Sequence, residues 1–143
     1  MKRILVPIDP AQPARTRSAI DEIVQIRKNE QVTVSLLRVL PKVNRHVAMF
    51  FGTDELQQLH QTWGDEELEL ARSLLDAAGV PSTSLVRVGR SAETIVAAAR
   101  ELGCDHIVFG RAEPSFAGRV FGSLAQQVRT MLGTRSDFQV IGS

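Results

Sequence analysis

The chain has 143 residues, of which 43% are hydrophobic, 23% charged and 5% aromatic, with a single cysteine and a formal charge of +1 (17 basic against 16 acidic side chains). That size suits one domain, residues 1–143, with its own core, and the balance excludes a disordered or fibrous chain. One cysteine excludes an internal disulfide framework and a multi-cysteine zinc site, and the near-neutral charge exerts no global pull on nucleic acid or a membrane surface.

The chain opens Lys2-Arg3-Ile4-Leu5-Val6-Pro7-Ile8-Asp9. Residues 4–8 form a short continuous apolar run, the signature of a strand buried on both faces, with Pro7 expected at its C-terminal end. The run is too short for a signal peptide and ends in an acid, and no apolar stretch nears the ~20 residues that span a bilayer, so a cytoplasmic address is expected. A turn cluster at 9–13 precedes an amphipathic helix over 14–28, with Ala19, Ile20, Ile23 and Val24 at helical spacing. Residues 32–40 are rich in β-branched residues and leucine and read as a second strand, stopped by Pro41.

Residues 41–53 lack periodicity and read as a loop. A second helix follows, carrying Leu56, Leu59, Trp63, Leu70, Ala71, Leu74, Leu75 and Ala78 on one side, with Gly79 as its C-terminal cap. Residues 85–88 read as a third strand. Ser91 is the expected N-cap of a third helix carrying Ile95, Val96, Ala99 and Leu102, closed by Gly103. Residues 107–109 form a fourth strand, 111–122 a loop, 123–132 a fourth helix with Leu124, Val128, Met131 and Leu132 inward, and 138–141 a fifth strand. Strands alternating with helices predict an α/β fold: a doubly wound parallel sheet with helices on both faces. Such sheets bind ligands beyond the carboxyl ends of their strands, here at Asp9, Val39-Leu40, Gly89-Arg90 and the loop after Gly110.

The segment from Gly110 to Ser123 is the richest in chemistry. Its glycines permit close backbone approach to phosphate oxygens, and a helix starting at Ser123 would offer free amides to an anion. Arg111 and Arg119 add positive charge. A glycine-rich turn with Ser123 as a simple cap explains the same spacing, and both readings stay open. The segment is neither a Walker A motif nor GxGxxG. Asp9 either forms the turn before Pro10 or accepts hydrogen bonds from a ligand. His46, His60 and His106 have no metal-ligand spacing, and Cys104 reads as a small core residue.

Ile4-Leu5-Val6-Pro7-Ile8-Asp9, the stretch Val86-Arg87-Val88-Gly89-Arg90-Ser91-Ala92-Glu93-Thr94-Ile95, and Asp105-His106-Ile107-Val108-Phe109-Gly110 together resemble the universal stress protein family, and Gly122-Ser123 with the closing helix and strand extends the likeness over essentially the whole chain. The resemblance implies a five-stranded sheet in the order 3-2-1-4-5 and a homodimer paired through the last strand, here Phe138, Gln139, Val140 and Ile141. One branch of the family binds ATP through Gly-x-x-Gly, nine residues, then Gly-Ser/Thr. Gly110 and Gly122-Ser123 match its ends. Glu113 stands at the second glycine, the spacer is one residue short, and Gly118 partly compensates. By that resemblance Asp9 would contact the ribose, and Pro7, Ile8 and Val39 would line the adenine pocket. Gly110, Arg111, Gly122, Ser123 and Leu124 would surround the phosphates. A carboxylate at Glu113 would repel a triphosphate unless Arg111 or a divalent cation offset it.

The expected function is therefore a stress-response or signalling protein that binds ATP, ADP or AMP as a homodimer. Mg²⁺ would accompany the nucleotide, with Asp9 as its contact; no metal site of the protein's own, nucleic-acid partner or membrane partner is implied. The competing expectation is a homodimeric interaction module with a degenerate, empty site. Catalysis goes no further than slow ATP hydrolysis, because no general base is evident beyond Asp9.

Overall fold

The computed structural model describes residues 2–41, 68–110, 116–133 and 139–142. The expected loop at 42–53 and the first half of the second helix, including Trp63, lie outside them. In chain order the elements are β1 (Lys2–Pro7), α1 (Pro13–Arg27), β2 (Val32–Leu40), α2 (68–77), β3 (Ser82–Val88), α3 (Ser91–Leu102), β4 (His106–Gly110), α4 (Phe116–Leu132) and β5 (Gln139–Gly142). The five strands form one parallel sheet in the order β3-β2-β1-β4-β5, as expected.

Register follows from burial on both faces. Ile4 of β1 lies opposite Val34 of β2 and His106 of β4. Alternate strand residues then face opposite layers. Ile4, Val6, Val34, Leu36 and Val108 pack with Ile20 and Ile23 of α1 and with Leu68, Ala71 and Leu75 of α2. Leu5, Leu37, Val39, Ile107 and Phe109 pack with Ile95, Val96 and Ala99 of α3 and with Ala125 and Val128 of α4. β1 is therefore wrapped on both sides, and Ile4, Leu5 and Val6 are fully buried.

Helix ends match their local chemistry. Pro13 supplies the fixed φ at the first turn of α1. α2 ends at Gly79 (φ +69°), and the Arg27 guanidinium donates to the Ala78 carbonyl (3.0 Å) and to that of Gly79. α3 ends at Gly103 (φ +67°), whose left-handed backbone disfavours other residues. At its start the expectation fails: Arg90 holds the N-cap position, Ser91 is already helical, and no side chain caps the helix.

The larger difference concerns α4. It begins at Phe116, not at Ser123, so Gly118, Gly122 and Ser123 lie within helical backbone. Phe116, Val120, Leu124 and Val128 recur at every fourth position, so the helical period runs on upstream of the glycines. An interior glycine costs only about 1 kcal/mol against alanine, which a continuous apolar stripe outweighs. Met131, expected inward, is 43% exposed because Ala125 and Val128 occupy the buried face. β3 and β4 are longer than expected, reaching Ser82 and Gly110, because the neighbouring strands offer pairing partners along their whole length. Among the described residues, no helix is long and apolar enough to cross a membrane.

Candidate functional site

The carboxyl ends of β1 and β2 open into a cavity of about 550 Å³. Its floor is Pro7, Ile8 and Asp9 at the end of β1, and Leu37, Arg38 and Val39 of β2. The first turns of α3 contribute Arg90, Ser91, Glu93 and Ile95, and α4 contributes Leu124, Gln127 and Met131. A second depression shares Arg38, Val39, Arg90 and Ser91 and extends the cavity toward Pro41 and Gly89.

β1 delivers Asp9 here because its pairing with β2 continues one residue past the strand: the Ile8 amide donates to the Leu37 carbonyl at 2.9 Å. The chain then turns sharply. The Gln12 amide donates to the Asp9 carbonyl (3.0 Å), and the Asp9 side chain accepts from the Ala11 amide through Oδ1 (2.9 Å) and from the Gln12 side-chain amide through Oδ2 (2.9 Å). Turn formation and cavity lining are thus both true of Asp9. A carboxylate has about four acceptor positions, so two such bonds leave capacity for ligand hydroxyls.

Two guanidiniums border the cavity. Arg38 is half-buried and donates to the Val39 carbonyl at 2.7 Å. Arg90 is well exposed and sits 3.8 Å from Glu93, an ion pair that solvent screens heavily. The amides of the first turn of α3 lack intrahelical acceptors, and the helix dipole adds to the positive field of the arginines there.

Of the residues expected at the site, Pro7, Ile8, Asp9, Val39 and Leu124 line this one cavity. Gly110 does not line it; it ends β4 with φ +78°, packed on the backbone of α1 at Arg15. Arg111 and Glu113 lie outside the described residues. Gly118, Gly122 and Ser123 fall inside α4, where the amides of 120–123 are committed to the preceding turn, so the expected N-terminal anion site at Ser123 is replaced by helix. Of the residues expected at a dimer interface, Gln139, Val140 and Ile141 belong to β5 at the edge of the sheet, and Phe138 lies outside the described residues.

Sequence reasoning missed Arg38, Gln127 and the buried pair Gln12 and Arg15. A signal for Arg15 exists: it falls on the same helical stripe as Ala19 and Ile23, both buried. Among groups away from the cavity, burial and the neighbouring Asp105 push the Cys104 thiol up against a smaller opposing pull from Arg3, so thiolate chemistry is disfavoured. Asp105 is drawn upward by partial burial. The hydrogen bonds from His106 Nδ1 (2.7 Å) and the Arg3 amide (3.1 Å) outweigh that and hold its carboxyl below the ordinary value.

The family model described as the universal stress protein family matches residues 1–130. No curated protein sequence matches the chain significantly. Among solved structures, the fold is similar to the universal stress protein from Archaeoglobus fulgidus in complex with dAMP (TM-score 0.66, 20% identity, covering 99% of this chain and 97% of that one). It is similar to a universal stress protein family protein from Arabidopsis thaliana with AMP bound (TM-score 0.61, 14% identity, 99% and 91%). It is also similar to a universal stress protein from Lactobacillus plantarum (TM-score 0.68, 19% identity, 99% and 96%).

Proposed function

The chain belongs to the universal stress protein family, and we propose that it binds an adenine nucleotide in the cavity beyond β1 and β2. The observation that carries this reading is the convergence of apolar walls (Pro7, Ile8, Val39, Leu124) and the Asp9 carboxylate in one cavity of about 550 Å³, whose other carboxylate, Glu93, is paired with Arg90. That volume lies in the range of small-molecule sites. The apolar walls accept the adenine ring, and the acceptor capacity of Asp9 suits the ribose hydroxyls. Arg38 and Arg90 at the rim offer positive charge to the phosphate. The binding of dAMP and AMP by proteins of the same fold supports the choice of nucleotide. A monophosphate fits best, because the amides of 120–123 are taken up by α4.

The protein then acts in stress response or signalling as a homodimer paired through β5, with occupancy of the cavity as its input. Calorimetric titration with AMP, ADP and ATP with Mg²⁺ tests the reading. Binding at micromolar to millimolar AMP, lost in Asp9→Ala, is expected. No heat at millimolar nucleotide would refute it.

The helical backbone from Phe116 onward favours a second reading, an interaction module that holds no nucleotide. The same titration separates the two.

A further inference from the structure

We propose that Arg15 is a positioning residue for nucleotide binding: acting through Gln12, it aims the Asp9 carboxylate into the cavity. The inference rests on the adenine-nucleotide reading of that cavity.

Arg15 is 1% exposed and Gln12 is fully buried. Neither residue lines the cavity. A buried guanidinium on a stripe otherwise filled by Ala19 and Ile23 is costly, and an apolar residue there would serve packing better. Its bonds form a chain. Arg15 Nη1 donates to the Gly110 carbonyl at 3.3 Å, and Arg15 Nε donates to Gln12 Oε1 at 3.2 Å. Gln12 Nε2 then donates to Asp9 Oδ2 at 2.9 Å.

The order of this chain is fixed by chemistry. A guanidinium has donors only, so it selects the oxygen end of the Gln12 amide. The nitrogen end must therefore face Asp9. A flipped amide would set donor against donor at Arg15 and acceptor against acceptor at Asp9. With Oδ2 held by Gln12 and Oδ1 by the Ala11 amide, the plane of the carboxylate is set from two sides before any ligand arrives. Gln12 holds the N-cap position of α1 yet makes no side-chain cap bond, because its side chain is engaged in this chain instead. Preorganisation of this kind reduces the ordering that binding would otherwise require.

The test titrates AMP and 2′,3′-dideoxyadenosine 5′-monophosphate, which lacks the hydroxyls that Asp9 would hold, into the wild type, Arg15→Met and Gln12→Glu. Gln12→Glu keeps an acceptor for Arg15 and so protects the fold, but it sets a carboxylate against Asp9. The wild type is expected to prefer AMP. Both variants should weaken AMP about tenfold, the scale of one well-placed hydrogen bond, and leave the dideoxy ligand unchanged. A purely structural role would weaken both ligands equally, and that result, or a preference that survives both substitutions, overturns the inference. A ligand-free arm measures exchange of the Gln12 side-chain amide protons by NMR. Slow exchange in the wild type that becomes fast in Arg15→Met supports the inference, and equal exchange rates overturn it. If the wild type binds no AMP, the nucleotide reading fails, and the exchange arm still decides whether Arg15 orients Gln12 toward Asp9.

Discussion

Replacing Gly110 with alanine tests how closely β4 packs on α1. Gly110 has φ +78°, and a Cβ added there would fall inside 3.0 Å of the Arg15 carbonyl oxygen and 3.1 Å from the Ala19 amide nitrogen. Both are backbone atoms of a helix seated on the sheet, so neither rotates away. The left-handed backbone costs a non-glycine residue about 1–2 kcal/mol. Forcing α1 off β4 adds about 1–3 kcal/mol, the usual scale of overpacking. The sum, about 2–5 kcal/mol, is a large share of a typical domain's stability. For a chain of this length each kcal/mol lowers the melting temperature by about 4 °C, so Gly110→Ala should lower it by roughly 8–20 °C. Gly133 provides the control: its φ is +72°, but a Cβ there meets nothing within 4 Å. Gly133→Ala carries the backbone cost alone, reduced by the lower entropy of its unfolded chain, and should shift the melting temperature by no more than about 5 °C. Thermal melts by circular dichroism, with urea titration as a second measure, give both values. Equal losses in the two variants would refute the close packing of β4 on the first turns of α1.

Three further outcomes are expected. The hydrogen bonds from His106 and the Arg3 amide hold the Asp105 carboxyl below the ordinary aspartate range, so its contribution to stability is present above the ordinary value and fades as pH falls through the lower folded one; the gap in melting temperature between wild type and Asp105→Asn should narrow between pH 5 and pH 2, and a constant gap contradicts the assignment. The Gln139 amide donates to the Asp105 carbonyl, so the Val140 amide, one residue on, points to the open edge of the sheet; Val140→Pro should leave β4–β5 pairing intact and, by sedimentation equilibrium, convert a dimer to monomer, whereas a dimer that persists argues against pairing through β5. Cys104, buried and with its thiol pushed up, should react with a thiol reagent at pH 8 only as fast as the protein unfolds; labelling at the rate seen in denaturant would show it exposed.

The order of elements and the parallel sheet were legible in the sequence because burial on both faces writes continuous apolar strands, and helices on those faces write a repeating stripe. Val32 to Leu40 read correctly for that reason, as did the glycine stops at Gly79 and Gly103, and Ile4 to Ile8 marked a strand that runs from Lys2 to Pro7. Asp9 and Val39 could be placed together because strand ends in such a sheet share one edge, whereas Pro7 and Ile8 joined them through the family resemblance. α4 was misread at its start, since glycines mark a loop only where no apolar stripe runs through them. Local composition cannot weigh those two effects against each other.

Periodicity along the chain writes the frame: which segments are strands, which face of each helix is apolar, and where the strand ends gather. Those properties follow from periodicity, which is local. The folded chain alone brings Gly110, Arg15, Gln12 and Asp9 into one hydrogen-bonded chain and sets Arg38 and Arg90 at the border of the same cavity. A hydrogen bond between side chains depends on where two distant backbones cross and on which end of an amide faces a donor, and no spacing along the chain carries that information.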